Sequence, residues 1–262
     1  MKSEQLKRIK NNPVFIPGIY NYCDRWCERC TFTKRCRNYS MNEHIPLEIE
    51  SYNVTDKIFW KRLEETFKLT LDLLKELALK NKINIDSLDY VSGKHDINRK
   101  PGEISGNPIM NLAKTYIEMV DRWFKTEENL FREKESELQL KSDLNIPDYN
   151  PEEETARVEE AVKIIHWYQH QIYIKITRAM QSKALEENQN CNQIQNDSNG
   201  SAKVALIGID HSILAWSQLR ETLFDQEDKI FNICIYLDRL RKNIEHEFPD
   251  ARAFIRPGFD EL

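Results

Sequence analysis

Glycine is scarce in this chain, seven among 262 residues, and proline is absent from three long windows, Pro46 to Pro101, Pro108 to Pro147 and Pro151 to Pro249. Without the two residues that most often interrupt helices, those windows favour long continuous helices. Long apolar runs are missing too. VALIGI at 204–209 falls far short of the ~18 residues of a membrane span. The N-terminal stretch MKSEQLKRIKNNPVF carries charges and no apolar core, so it does not read as a secretory signal, and the expected location is cytoplasmic. A net charge of −5 offers no global attraction for nucleic acid. There is no G-x-S-x-G and no phosphate loop, and SGKHD at 92–96 lacks both the upstream glycine and the following Ser or Thr.

What is present reads as helix. From Thr55 as cap, Phe59, Trp60, Leu63, Phe67, Leu71, Leu74 and Ala78 recur at three- and four-residue steps. A second start is Asn107 before Pro108, with Leu112, Ala113, Tyr116, Met119, Val120, Trp123 and Phe124 as the stripe. Its charged continuation is expected to project into solvent or to pack only along Leu130, Phe131 and Leu138. A third start has Asn150 as cap, Pro151 next, and Glu152, Glu153 and Glu154 where the helix dipole favours anions. Val158, Ala161, Ile165, Ile172 and Ile176 make one stripe of that helix, while Ile164, Trp167 and Ile174 occupy another side, as in a central helix. The amide-rich stretch 187–201, with Cys191, reads as a mobile surface loop. Ser201 is the expected cap of a helix through Val204, Ile207, Leu214 and Leu223 rather than a strand. A last helix runs from about Asp225 through Ile230, Ile233, Leu237, Leu240 and Ile244 to Pro249, and the tail ARAFIRPGFDEL is expected to be extended. Trp60, Trp123, Trp167 and Trp216 fall one to a segment, as shared packing.

Cysteine is sparse, six in all, yet four stand in CDRWCERCTFTKRC at 23–36. In a chain long enough to bury a core without staples, and in a reducing compartment, clustered thiols point to metal or redox chemistry rather than to disulfides. Cys23, Cys27, Cys30 and Cys36 supply the complete donor set of a tetrahedral zinc site or of an iron–sulfur cluster. His44 is a spare candidate ligand. Zinc is favoured on base rate, whereas Tyr22, Trp26 and Phe32 among the thiols are an apolar shell of the kind that tunes a cluster. The first three cysteines share the C-x3-C-x2-C spacing of radical S-adenosylmethionine enzymes. The chain departs from that pattern with Arg29 in the usual aromatic place, with Cys36 as a closing ligand, and with almost no strands for a β/α barrel. Arg25, Arg29, Lys34, Arg35 and Arg37 make the segment locally basic, which compensates a tetrathiolate's negative charge or contacts nucleic acid, through Arg25, Arg29 and Arg35 in particular.

A second constellation is His166 and His170, spaced i and i+4, with Asp210 and His211 on the next helix and Glu118 and Asp121, or Glu64, on others. That set suits iron or manganese in a bundle. No histidine has a glutamate three positions before it, so the Glu-x-x-His signature of di-iron bundles is missing. The simpler expectation is that these histidines are hydrogen-bonded between helices, Asp210 holding one, or face solvent.

The sequence therefore predicts a mainly α protein. An antiparallel helical bundle of about five helices over 47–262, with irregular loops near 84–107 and 186–201, carries an N-terminal four-cysteine metal-binding module over 1–46. The function it favours is a zinc-stabilised interaction or adaptor protein with a protein partner and no membrane association. An iron–sulfur or bundle-metal redox protein is the alternative, and nucleic-acid binding through the basic cysteine module is a third.

Overall fold

The structure is a computed structural model that describes residues 13–43, 107–144, 150–186 and 194–260. The expected helix from Thr55, with Trp60 and Glu64, lies outside the described residues, as do His44, SGKHD and Cys191. Lys2–Ser40 and Pro101–Leu262 fall in one compact unit. The cysteine segment and the helices after residue 100 thus belong to the same unit.

Among the described residues the fold is helical, without strands: α1 (Arg37–Glu43), α2 (Pro108–Thr126), α3 (Glu128–Asp143), α4 (Pro151–Glu186), α5 (Asp197–Thr222) and α6 (Glu227–Glu247). No helix among them is long and apolar enough to cross a membrane. Helix α4 is the centre, packing along α5 and touching α2 and α3, while α6 lies on α5 and α2.

Two helix starts follow their capping chemistry. Asn107 Oδ1 accepts from the amides of Ile109 (2.8 Å) and Met110 (3.3 Å), and Asn150 Oδ1 from those of Glu152 (3.1 Å) and Glu153 (3.3 Å). Each satisfies amides that a helix start leaves open, and the proline after it has no amide to satisfy. The expected stripes are the core: Ala113, Tyr116, Val120 and Trp123 of α2, Ala161, Ile165, Ile172 and Ile176 of α4, and Ile230, Ile233, Leu237, Leu240 and Ile244 of α6 are all buried. Trp216 sits fully buried, its indole donating to Tyr116 Oη (3.2 Å) and its ring edge-on to Trp123 (4.9 Å).

Four elements depart from expectation. The helix begun at Pro108 does not continue through the charged stretch: it breaks at Glu127, which is buried and receives Lys229 Nζ of α6 (2.6 Å). No proline or glycine marks the break, and beyond it Phe131 stacks on Phe124 (5.8 Å). Helix α5 starts before Ser201, capped by Asn196, whose Oδ1 accepts from the Asn199 amide (2.8 Å), so Ser198, Asn199, Gly200 and Ser201 are buried helix rather than loop. Ile174 is exposed. The tail is folded, with a single 3-10 turn at Ala251–Ala253, buried Ala251 and Phe254, and Gly258 at φ 77°.

Candidate metal centre

The segment before α1 is a strap of three single-turn 3-10 helices, Ile19–Asn21, Cys27–Arg29 and Thr33–Arg35. Between the first two thiols the chain reverses at Arg25, a non-glycine residue at φ 59°, closed by the Cys27 amide on the Arg25 carbonyl (2.9 Å). A side chain in the left-handed region is strained unless its surroundings hold it there. Here the neighbouring Asp24 does so. Its carbonyl accepts from Trp167 Nε1 (3.1 Å) and from Gln171 Nε2, and its carboxylate accepts from Tyr168 Oη (2.7 Å) and the Trp26 amide (3.1 Å).

Trp26 stacks on Trp167 (4.7 Å, 19°), and the Arg29 guanidinium lies 3.6 Å from the Trp26 ring centroid while it pairs with both oxygens of Glu160. Further along α4, Lys175 Nζ and Arg178 Nη1 donate to the Asn21 carbonyl (3.3 and 3.4 Å). Arg178 also pairs with Asp197, which accepts from Tyr22 Oη (3.0 Å) and Ser182 Oγ (2.6 Å). Burial, with Asp197 beside it, pushes the Tyr22 phenol up to about 12.

All four strap thiols are free, and all four line one small cavity of about 20 Å³, together with Tyr39 of α1 and Phe259 of the tail. A volume of that size holds about one water-sized sphere. The Phe32 amide donates to Cys30 Sγ (3.4 Å), and Cys23 Sγ donates to the Tyr20 carbonyl (3.6 Å). Burial pushes the Cys23 thiol up, and burial followed by the three other thiols pushes Cys27 up. These two sulfurs therefore hold their protons at neutral pH unless a cation displaces them. Among the described residues no three His, Cys, Asp or Glu side chains already stand as a ligand shell. The four sulfurs share a cavity without converging on one point.

The histidine constellation is not gathered. His166, His170 and His211 are exposed, and so are Glu118 and Asp121. His166 lies against Phe124 (4.3 Å) and His211 stacks on Tyr168 (5.5 Å). Gln169 Nε2 donates to His170 Nε2 (2.9 Å) and to Asp121 Oδ1 (3.4 Å). Asp210 holds no histidine; it pairs with Arg252 (2.6 Å) and Arg241 (3.3 Å). Of the three arginines considered for nucleic acid, Arg29 is occupied by Glu160 and Trp26, while Arg25 and Arg35 are exposed.

The residues that seat the strap, Asp24, Tyr168, Gln171 and Lys175, escaped the sequence reading. In HWYQHQIY at 166–173 the histidine spacing draws the eye, yet Trp167, Tyr168 and Gln171 between them meet the cysteine segment. The available signal was the presence of polar and aromatic residues on a second face of an otherwise apolar helix.

A separate groove of about 550 Å³ lies where α3, α4 and the end of α5 meet. Leu130, Leu223 and Phe224 supply its apolar part, Phe224 being 75% exposed. Around them five carboxylates (Glu133, Glu137, Glu154, Glu221, Asp225) outnumber three cations (Lys134, Lys141, Arg157). Comparisons with family models, with curated proteins and with solved structures return no match for this chain.

Proposed function

We propose that this chain is a metal-stabilised interaction protein, in which one zinc ion held by Cys23, Cys27, Cys30 and Cys36 staples the N-terminal strap to an antiparallel bundle of helices. The observation that carries the reading is that all four thiols line a single cavity with room for about one atom-sized guest. Four soft donors are the complete ligand set of a structural zinc site. Zinc is placed before an iron–sulfur cluster because it is the commoner occupant of four-cysteine sites in small modules.

The surroundings fit a centre that gains negative charge on loading. Lys175 is buried at 7% exposure and pairs with no carboxylate among the described residues, its ammonium resting on the Asn21 carbonyl two residues before Cys23. A buried cation without a counter-ion is unfavourable, and a tetrathiolate centre beside it supplies one. The Phe32 amide on Cys30 Sγ is likewise a donor suited to a thiolate.

The interaction half of the reading rests on the groove between α3, α4 and α5. Its carboxylate excess, added to the negative C-terminal end of α5, suits a basic partner segment with an apolar residue to cover Phe224. Nucleic acid is the weaker reading because Arg29 is already committed to Glu160.

The deciding measurement is zinc, iron and acid-labile sulfide content with an absorption spectrum, on protein purified without oxygen, beside a Cys27→Ser/Cys30→Ser variant. One zinc per chain, no colour, and loss of that zinc in the variant are expected. Iron with sulfide and visible charge-transfer absorption would replace this reading by the redox one.

A further inference from the structure

The C-terminal tail forms part of the wall of the cysteine cavity. Phe259 lines it beside the four thiols and meets Phe32 edge-on (5.1 Å, 78°), the residue whose amide donates to Cys30 Sγ. One residue earlier, Gly258 at φ 77° runs so close to the strap that a Cβ there would lie 2.8 Å from Ile16 Cδ1 and 3.1 Å from Ile19 Cδ1. Phe254 packs edge-on against Tyr22 (4.7 Å), the neighbour of Cys23.

The other anchorage of the tail lies on α5, where Phe254 runs close against Gly200 and an ionic cluster holds the end of the tail. Lys203 Nζ donates to the Phe254 carbonyl and to Asp260 Oδ2 (2.7 Å), and Arg256 holds the same carboxylate (2.9 Å). The tail is therefore clamped between a helix and a strap in which no residue from Cys23 to Cys36 is fully buried. The strap side is the one that a ligand-induced change in order would move.

We propose that metal occupancy of the four-cysteine site controls docking of residues 254–260: the loaded site holds Phe32 and Tyr22 as a platform for Phe259 and Phe254, and the emptied site releases them. This rests on the metal reading above. Release replaces each metal–sulfur bond by a proton on the thiol, so a chelator or mild acid suffices, and the released tail presents two aromatic side chains that the loaded form covers. The chain thus acquires a metal-dependent surface at its C-terminal end.

Two measurements on the full chain test it. In the first, hydrogen exchange of backbone amides is followed by mass spectrometry in the zinc-loaded protein and after chelation, with zinc content determined on the same samples. Exchange in 254–260 is expected to quicken at least tenfold while α6 stays protected. Zinc loss with unchanged tail exchange overturns the proposal and leaves the metal reading standing, whereas protein that takes up no zinc overturns both.

The second measurement uses reciprocity: if metal favours the docked tail, the docked tail favours metal by the same factor. Phe259→Ala, a half-buried residue outside the main core, is expected to keep the helical fold and to weaken zinc binding several-fold in competition with a chromophoric chelator. This arm decides the matter even if chelation unfolds the whole chain. Equal affinity in variant and wild type overturns the coupling.

Discussion

Gly200 offers a sharp test of how the strap, the tail and α5 fit together. Replacing a glycine inside a helix by alanine ordinarily stabilises by about 1 kcal/mol, because alanine loses less backbone freedom. At this position the added Cβ would lie 2.6 Å from Tyr22 Cδ1 and 2.7 Å from Phe254 Cζ, well inside van der Waals contact. These are ring atoms, so the strain is relieved only by moving whole rings. Tyr22 is fixed by its hydrogen bond to Asp197 (3.0 Å) and Phe254 is 4% exposed.

Overpacking of this kind costs about 1–3 kcal/mol. If Tyr22 gives way instead, the protein loses its aromatic pair with Phe254, about 0.5–1.5 kcal/mol, and a hydrogen bond to a carboxylate, about 1.5–3 kcal/mol. Net of the helix gain the first route costs about 0–2 kcal/mol and the second about 1–3.5 kcal/mol, so Gly200→Ala is expected to destabilise by about 1–2 kcal/mol. Urea unfolding followed by circular dichroism measures it, and a double-mutant cycle with Tyr22→Ala locates it. In the Tyr22→Ala background the penalty should fall by at least half, Phe254 remaining as the second obstacle. A Gly200→Ala protein more stable than wild type, by the ordinary helix increment, would refute the close approach of strap and tail to α5.

Three further outcomes follow from the same geometry. Burial alone would raise the Asp197 carboxyl, but hydrogen bonds from Arg178, Ser182 and Tyr22 outweigh it and hold it below the usual carboxylate range. Its contribution is complete above the unfolded value of about 4 and disappears as pH falls through the folded value. Asp197→Asn should therefore cost more stability at pH 7 than at pH 3 in urea titrations, and equal losses at both would remove the ionic argument. Lys175→Gln should weaken zinc binding roughly tenfold, with Lys175→Arg restoring most of it; unchanged affinity in chelator competition would take Lys175 out of the charge balance of the centre. Phe224→Ala should shift stability by no more than about 0.5 kcal/mol, since the ring is exposed, yet weaken binding of a synthetic amphipathic Lys/Leu peptide several-fold. Identical anisotropy titrations with variant and wild type would place that peptide elsewhere.

Helices that announce themselves by local chemistry were readable. Asn107–Pro108 and Asn150–Pro151 each combine a capping amide with a residue that has no amide to satisfy, and the stripes after them are buried as their spacing requires. The features that escaped are those decided by residues distant in sequence. At the end of α2 Glu127 pairs with Lys229, 102 residues away. Asn-Asp-Ser-Asn-Gly-Ser at 196–201 looks like a loop by polarity, yet its short side chains make a notch at the start of α5 into which Tyr22 and Phe254 fit. Ile174 belongs by period to a second apolar face of α4, but it is Trp167 on that side that the strap covers, while Ile174 stays exposed. The four thiols were legible as a cluster from spacing alone. Their seating on α4 was not, because Asp24, which takes three hydrogen bonds there, looks in the sequence like one more surface charge.

The energetics of the strap bear on the proposed metal. Fourteen residues run from Cys23 to Cys36, none fully buried, and ordering their backbone at roughly 1.5 kcal/mol each costs about 21 kcal/mol. Against this stand four hydrogen bonds to Asp24 at about 1 kcal/mol apiece, the Trp26–Trp167 stack at about 1 kcal/mol, and the half-exposed Arg29 contacts at about 1 kcal/mol together. These reach about 6 kcal/mol, well short of that cost. Zinc binding to small structural sites is worth about 10–16 kcal/mol at neutral pH with the cost of ordering the peptide already included, so a bound zinc would suffice to order the strap. The helical core needs no such help: Trp216, Tyr116, Ile165, Ile172, Leu206 and Leu237 are among its fully buried side chains. Metal removal should consequently leave α2, α4, α5 and α6 folded and loosen the strap. The order of a short, polar, thiol-rich segment then reports on metal, while the fold beneath it does not.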